Sequence, residues 1–384
     1  MMDMNDHQPV GRFTDCETPS VEFGLFNLMS YRNHPNGVAG ILADTRGMVQ
    51  LAEEVGLDVA WFAEHHFTNY SISVSPLLMM ANMASATTRI RLGSAVIVLP
   101  LYQPMRVAQE IALVDQLSGG RVVLGVGSGY QPFEFARYGV DIEERGDIFL
   151  KYWDVLEEAL TTGTVTQAAQ ALGLPDTPVL LRPVQKPLPP LFITSANPAV
   201  LRRFAPLGAT PFVTAGWRGS DALVGLARQM RKSWSEAGLD ARPMPLGLQQ
   251  YVHVTDSREE AMIAADCARF VGRMATGLRS PDITNTGAMI DVPPLPDEPP
   301  LDTFRRNLLI GPPTEVAERM IGEIRATGCT HYSTFFQFGD MPSAMARRSL
   351  ERFGAEVLPI VKREIAARDA GRPAARSAFA TAAR

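Results

Sequence analysis

The sequence predicts an α/β fold, a (β/α)8 barrel of the TIM type. Three observations predict it. Eight short segments are almost continuously apolar, as strands buried on both faces are. Each is followed by a stretch with apolar residues at helical spacing, the alternation that builds a parallel sheet covered by helices. Eight such units in 384 residues favour a closed barrel, with a doubly wound open sheet as the other arrangement of the same units.

The elements follow in order. Residues 21–28 read as the first strand, and 40–55 as a helix with Ile41, Leu42, Met48, Val49, Leu51, Ala52 and Val55 on one face. Residues 59–63 are the second strand, and 76–86 a Met-rich helix. The β-branched run 90–99 (IRLGSAVIVL) is the third strand, ended by Pro100. A helix over 103–117 stops at Ser118-Gly119-Gly120. Residues 122–126 form the fourth strand, and 141–160 a long helix with acids in its first turn, which suits the helix dipole. The second half repeats the theme: strands at 191–194, 210–213, 248–255 and 331–336, with helices at 198–205, 220–237, 258–272, 312–326 and 341–361.

Two Pro-rich stretches interrupt the pattern. Residues 172–190 read as a short hairpin or excursion before the fifth strand. Residues 277–300 hold six prolines and little periodicity, which makes them a long loop and a lid candidate. The barrel is expected over 21–362, with flexible extensions at 1–20 and 363–384.

Composition narrows the function classes. A hydrophobic fraction of 46%, a charged fraction of 20% and a net charge of −5 describe a globular protein with a large core. Basic runs interleaved with aromatics are missing before the tail, so no nucleic-acid partner is expected. Cys16, Cys267 and Cys329 are widely spaced and suit a reducing cytosol rather than a disulfide framework or zinc site. The polar N-terminus and the lack of a long apolar run predict a cytoplasmic protein with no membrane span.

The residues with chemistry gather at predicted strand ends, where barrels place their sites. Glu64-His65-His66 ends the second strand and concentrates two of the chain's six histidines beside a carboxylate. A site and a solvated turn both accommodate that tripeptide. Adjacent side chains on extended backbone face opposite ways, so a shared metal is not expected. Gly125-Val126-Gly127-Ser128-Gly129-Tyr130 follows the fourth strand. Its glycines let backbone N–H groups approach an anion, although the spacing is not that of dinucleotide folds. Thr194-Ser195-Ala196-Asn197-Pro198 at the fifth strand end offers two hydroxyls before a Pro-started helix. Two anion-friendly turns at neighbouring strand ends point to a phosphate. His253 and His331, on the seventh and eighth strands, could converge inside a barrel.

These segments resemble bacterial luciferase α subunits and the luciferase-like flavin monooxygenases. The resemblance runs from Glu53 through Trp61 to Thr68, and through 91–100 (RLGSAVIVLP), 103–106 (QPMR) and 113–121 (LVDQLSGGR). It continues in the glycine turn, Thr194-Ser195-Ala196 and 310–314 (IGPPT). It implies a barrel holding reduced FMN at the strand C-termini, FMNH2 delivered by a separate NAD(P)H flavin reductase, and O2 activated as a flavin C4a-hydroperoxide. By the same resemblance His65 is the catalytic histidine, with His66 beside it. A cis peptide under the flavin ring falls at Ala95–Val96. The phosphate contacts fall at Ser128, Gly129, Tyr130, Thr194, Ser195 and Ala196. Two departures stand out: the luciferase phosphate arginine is Ser128 here, and its reactive cysteine is Gly127. The expected substrate is a small, apolar organic molecule lined by Met29, Tyr31, Phe67, Tyr70, Trp217 and Phe336, and the expected assembly is a homodimer. A deazaflavin (F420)-dependent dehydrogenase on the same barrel and a non-catalytic flavin-binding subunit are the alternatives.

Overall fold

A computed structural model describes residues 21–280, 283–290 and 292–370. Eight parallel strands close into a barrel: β1 (Glu22–Asn27), β2 (Val59–Phe62), β3 (Arg91–Ser94), β4 (Val122–Gly127), β5 (Leu191–Ile193), β6 (Thr210–Thr214), β7 (Gly247–Val254) and β8 (His331–Phe335). Each pairs with its neighbours in sequence order, and β8 closes on β1 with Gly24 opposite Ser333. The eight strands expected from hydrophobicity are therefore the barrel. The third departs in detail: β3 stops at Ser94, the Ala95–Val96 peptide is cis, and pairing with β4 resumes at Ile97–Val98. A short extra strand, Leu309–Gly311, pairs with the far end of β7.

Inward side chains fill the lower barrel. Val59, Trp61, Val123 and Phe192 form a buried layer, with Phe26, Ala95 and Phe212 packed on it. Trp61 meets Phe192 edge to face at 4.8 Å. The indole occupies space that Gly24 and Gly93 leave free, since a Cβ on either would lie 2.6 or 2.3 Å from it. The barrel is a packed body with a mouth at the strand C-termini, not a channel.

The helices α1 (Gly37–Glu54), α2 (Pro76–Ala84), α3 (Pro104–Ser118), α4 (Pro132–Tyr138), α5 (Arg145–Thr162), α6 (Pro198–Phe204), α7 (Gly219–Glu236) and α8 (Arg258–Gly277) surround it. Local chemistry sets their ends. Ser75 accepts from Leu78 N, Ser257 accepts from Glu260 N, and α3 stops at Gly119, whose φ of 66° suits glycine. A second buried layer between strands and helices includes Trp153, packed on Phe204 at 4.7 Å. The C-terminal helix, Leu358–Ala370, runs into the segment read as a tail. The extension 1–20 and residues 371–384 lie outside the described residues.

Neither Pro-rich stretch is plain loop. Thr177–Pro178 pairs with Thr164–Val165 in a small antiparallel ladder. After α8, which extends to Gly277 rather than 272, Asn285–Thr286 pairs with Met289–Ile290. This hairpin is tied to the β2 loop, where Asn69 N donates to Ala288 O and Asn69 Oδ1 accepts from Ile290 N, both at 2.9 Å. Glu298 receives two bonds of 2.6 Å from Arg273.

His253 on β7 is 1% exposed, and neither ring nitrogen has a hydrogen-bond partner. Burial pulls its pKa down from 6.5 to about 4, against the nearby Glu260 carboxylate. The folded state thus favours neutral imidazole, and the stability this gives is complete above pH 6.5 and lost as pH falls toward 4. Between about pH 7.5 and pH 5 the residue should remove about 2 kcal/mol of unfolding free energy. Urea titrations of wild type and His253→Leu at both pH values check this. Equal losses in the two proteins would contradict it.

Candidate active site

The β2 strand ends at Phe62, and Glu64, His65 and His66 follow at the barrel mouth, all buried. Their hydrogen bonds separate the two histidines. His66 Nε2 lies 3.0 Å from Glu64 Oε1, and the Tyr138 hydroxyl lies 3.0 Å from its Nδ1. Both nitrogens are thus engaged within the protein. Glu64 is itself held by Tyr102 OH at 2.8 Å and Val98 N at 3.2 Å, and burial pushes its carboxyl above the usual range.

His65 is arranged differently. Its Nδ1 lies 3.1 Å from Glu134 Oε1, an oxygen that also accepts from His66 N at 2.7 Å. A carboxylate can only accept, so Nδ1–H faces Glu134, and in the neutral ring the lone pair is then on Nε2. Gln131 Nε2 also lies 3.0 Å from Nδ1, while Gln131 Oε1 is buried without a partner. As placed, the same Nε2 also donates to the Tyr130 hydroxyl at 3.2 Å, and a half-turn of the amide would instead present its oxygen to Nδ1–H. Among the described residues no protein group bonds Nε2. Tyr70 and Tyr130 flank the ring, with centroids 4.6 and 5.9 Å away. Burial raises both tyrosine pKa values, keeping the hydroxyls protonated.

Glu134 was not among the residues singled out from the sequence. It sits in the first turn of α4, introduced by Pro132 just after the glycine turn, and is 1% exposed between Phe133 and Phe135. An acid inside an apolar helix start was the available signal. Tyr102, Tyr138 and Gln131 were missed with it, because their contacts reach across the barrel mouth.

The two turns come together as expected. Val126 pairs with Ile193, so the residues beyond, 127–130 and 194–197, leave the sheet side by side. A Cβ at Gly127 would sit 2.8 Å from both Thr194 Oγ1 and Val96 Cγ2. Thr194 and Ala196 are exposed, and Ser128, Gly129 and Ser195 half-buried. Among the described residues no protein group engages the Ser128 or Thr194 hydroxyl, whereas Ser195 Oγ accepts from Asn197 N at 3.2 Å. Ala95 and Val96 are half-buried beside them, Ala95 lying on the Trp61 layer.

Other expectations fail. His253 and His331 do not converge: His331 pairs with Glu22 at 3.1 Å at the opposite end of the barrel, and His253 lies against α8. Phe336 is fully buried on Phe353 and does not line the mouth, whereas Trp217 is half-buried and packs on Phe304. The strand-end aromatics that gather instead are Phe26, Tyr251, Phe335 and Phe338, with Phe335 5.1 Å from Phe26 and 5.0 Å from Tyr251. No cluster of three or more metal-ligating side chains occurs among the described residues.

Comparison with known proteins agrees with this geometry. The family model described as luciferase-like monooxygenase matches residues 21–331. The uncharacterized protein y4vJ of Sinorhizobium fredii is 35% identical, covering 90% of this chain and 99% of its own. The oxygenase component of the flavin-dependent trigonelline monooxygenase of Acinetobacter baylyi is 28% identical, over 81% of this chain and 88% of its own. Among solved structures, the monooxygenase RslO1 from Streptomyces bottropensis superposes with a TM-score of 0.72 at 20% identity, covering 88% of this chain and 99% of that one. The chain belongs to the luciferase-like monooxygenase family of oxidoreductases.

Proposed function

We propose that this protein is the oxygenase of a two-component system, using reduced FMN from a separate NAD(P)H flavin reductase to insert one atom of O2 into a small organic substrate. The observation that carries this reading is His65, held by Glu134 at 3.1 Å with Nε2 free at a barrel mouth beside two hydroxyl-bearing turns. That the Acinetobacter relative is an oxygenase component supports a separate reductase.

The residues present fit a flavin mononucleotide. Ala95 and Val96 offer a flat edge above the apolar Trp61 layer for the ring. Ser128, Gly129, Tyr130, Thr194, Ser195 and Ala196 would hold the phosphate, through the uncommitted Ser128 and Thr194 hydroxyls and the backbone. Bound reduced flavin supplies the electrons that activate O2. His65 Nε2 then takes or returns a proton on the reacting oxygen or substrate, with Glu134 stabilising the imidazolium. His66 braces the β2 end through Glu64 and Tyr138. The hairpin 285–290, pinned through Asn69, covers the mouth and limits water.

The test is incorporation of 18O2 into organic products when the protein is supplied with a generic flavin reductase, NADH, FMN and a substrate panel, read by mass spectrometry. Unlabelled products, or turnover with a deazaflavin and no O2 uptake, would replace this reading with the dehydrogenase one.

We also infer a homodimer through α2 and α3, on which Leu78, Leu113 and Leu117 are 70%, 46% and 59% exposed. Leu78→Asp with Leu117→Asp should halve the mass measured by sedimentation, whereas a wild-type monomer would exclude this interface.

A further inference from the structure

Arg279 lies two positions beyond the last residue of α8, Gly277. Its guanidinium carbon stands 4.9 Å from the centroid of the Tyr130 ring, and its charge reaches the hydroxyls of both Tyr130 and Tyr70. On α8, Arg269 pairs with Asp266 and Arg273 with Glu298. Among the described residues no carboxylate pairs with Arg279. Tyr130 is 36% exposed. The same ring meets His65 edge-on at 5.9 Å. A small molecule beside Tyr130 would meet the rings that flank His65 and a guanidinium that no carboxylate among the described residues pairs with.

We propose that Arg279 clamps an anionic group of the substrate, and that the substrate class is a small aromatic carboxylate rather than a wholly apolar molecule. This rests on the monooxygenase reading for the identity of the pocket. Guanidinium stacked on an aromatic ring keeps its N–H edge available and suits bidentate contact with a carboxylate. An anionic oxygen could also come from the flavin phosphate. The substrate is favoured because the two rings that feel the charge of Arg279 are the two that flank His65.

Isothermal titration of the full chain with benzoate, with neutral benzamide and, separately, with FMN distinguishes these sources. Wild type should bind benzoate about tenfold or more tightly than benzamide. Arg279→Gln should abolish that preference and leave the FMN affinity and melting temperature unchanged, and Arg279→Lys should keep part of it. A wild type without preference for benzoate, or an Arg279→Gln variant that keeps it, overturns the proposal. So does a variant that loses FMN affinity instead, since the guanidinium would then serve the phosphate. Failure of wild type to bind FMN would sink the flavin reading, while the benzoate arm, which contains no flavin, still reports on Arg279.

Discussion

Replacing His65 by alanine should slow substrate oxygenation by about 10²- to 10⁴-fold, the usual contribution of one positioned proton-transfer group. Peroxide release should rise as product formation falls. The structure ties the effect to one atom: Nδ1 is committed to Glu134, and among the described residues no protein group bonds Nε2. His66 has both nitrogens engaged, so His66→Ala should act mainly through the position of the β2 end. Glu134→Gln keeps the shape but can present an amide N–H where Nδ1–H needs an acceptor. It should therefore lose at least about tenfold through the wrong tautomer, as an acid-to-amide change behind a catalytic histidine does. The double variant should be little worse than His65→Ala, because the two act as one unit. Single-turnover reactions with reduced FMN, following product and peroxide together, provide the measurement. Unchanged product and peroxide in His65→Ala would remove His65 from the mechanism.

The largest expected loss of stability is Trp61→Ala, about 3–5 kcal/mol. Trp61 is 4% exposed and fills the centre of the barrel between Phe192 and Phe212. Its neighbours Gly24 and Gly93 have no side chains to move into the vacated space, so collapse would be poor. The loss should appear in urea titration as a lower midpoint with little change in slope. Ala95 rests on this layer, so FMN affinity should fall as well. A variant with unchanged midpoint would mean the layer repacks without its indole.

The strands were legible because a parallel barrel buries them on both faces, which leaves an apolar run visible without any partner. The pairing of the glycine turn with Thr194-Ser195 was legible for the same reason, since adjacent strands deliver adjacent ends. Glu134 was not, because its meaning comes from His65, 69 positions earlier. Phe336 misled because a strand's final residues alternate in direction: Phe335 joins the mouth aromatics and Phe336 goes to the helices. The 277–300 stretch was read as loop because its hairpin is two residues per strand, too short to show alternation, and is held by Asn69 far away in sequence. Arg279 left no signal in composition, since its setting over Tyr130 exists only in the closed barrel.

Gly127 stands where light-emitting luciferases carry a cysteine, and its close neighbours constrain how such a residue could arise. Any β-carbon there would collide with the Thr194 hydroxyl and with Val96 at 2.8 Å. A Gly127→Cys replacement would therefore require the Thr194 and Val96 side chains to shift. The residue at 127 is thus coupled to those at 96 and 194, and the cost of any side chain there should fall when either neighbour is made smaller.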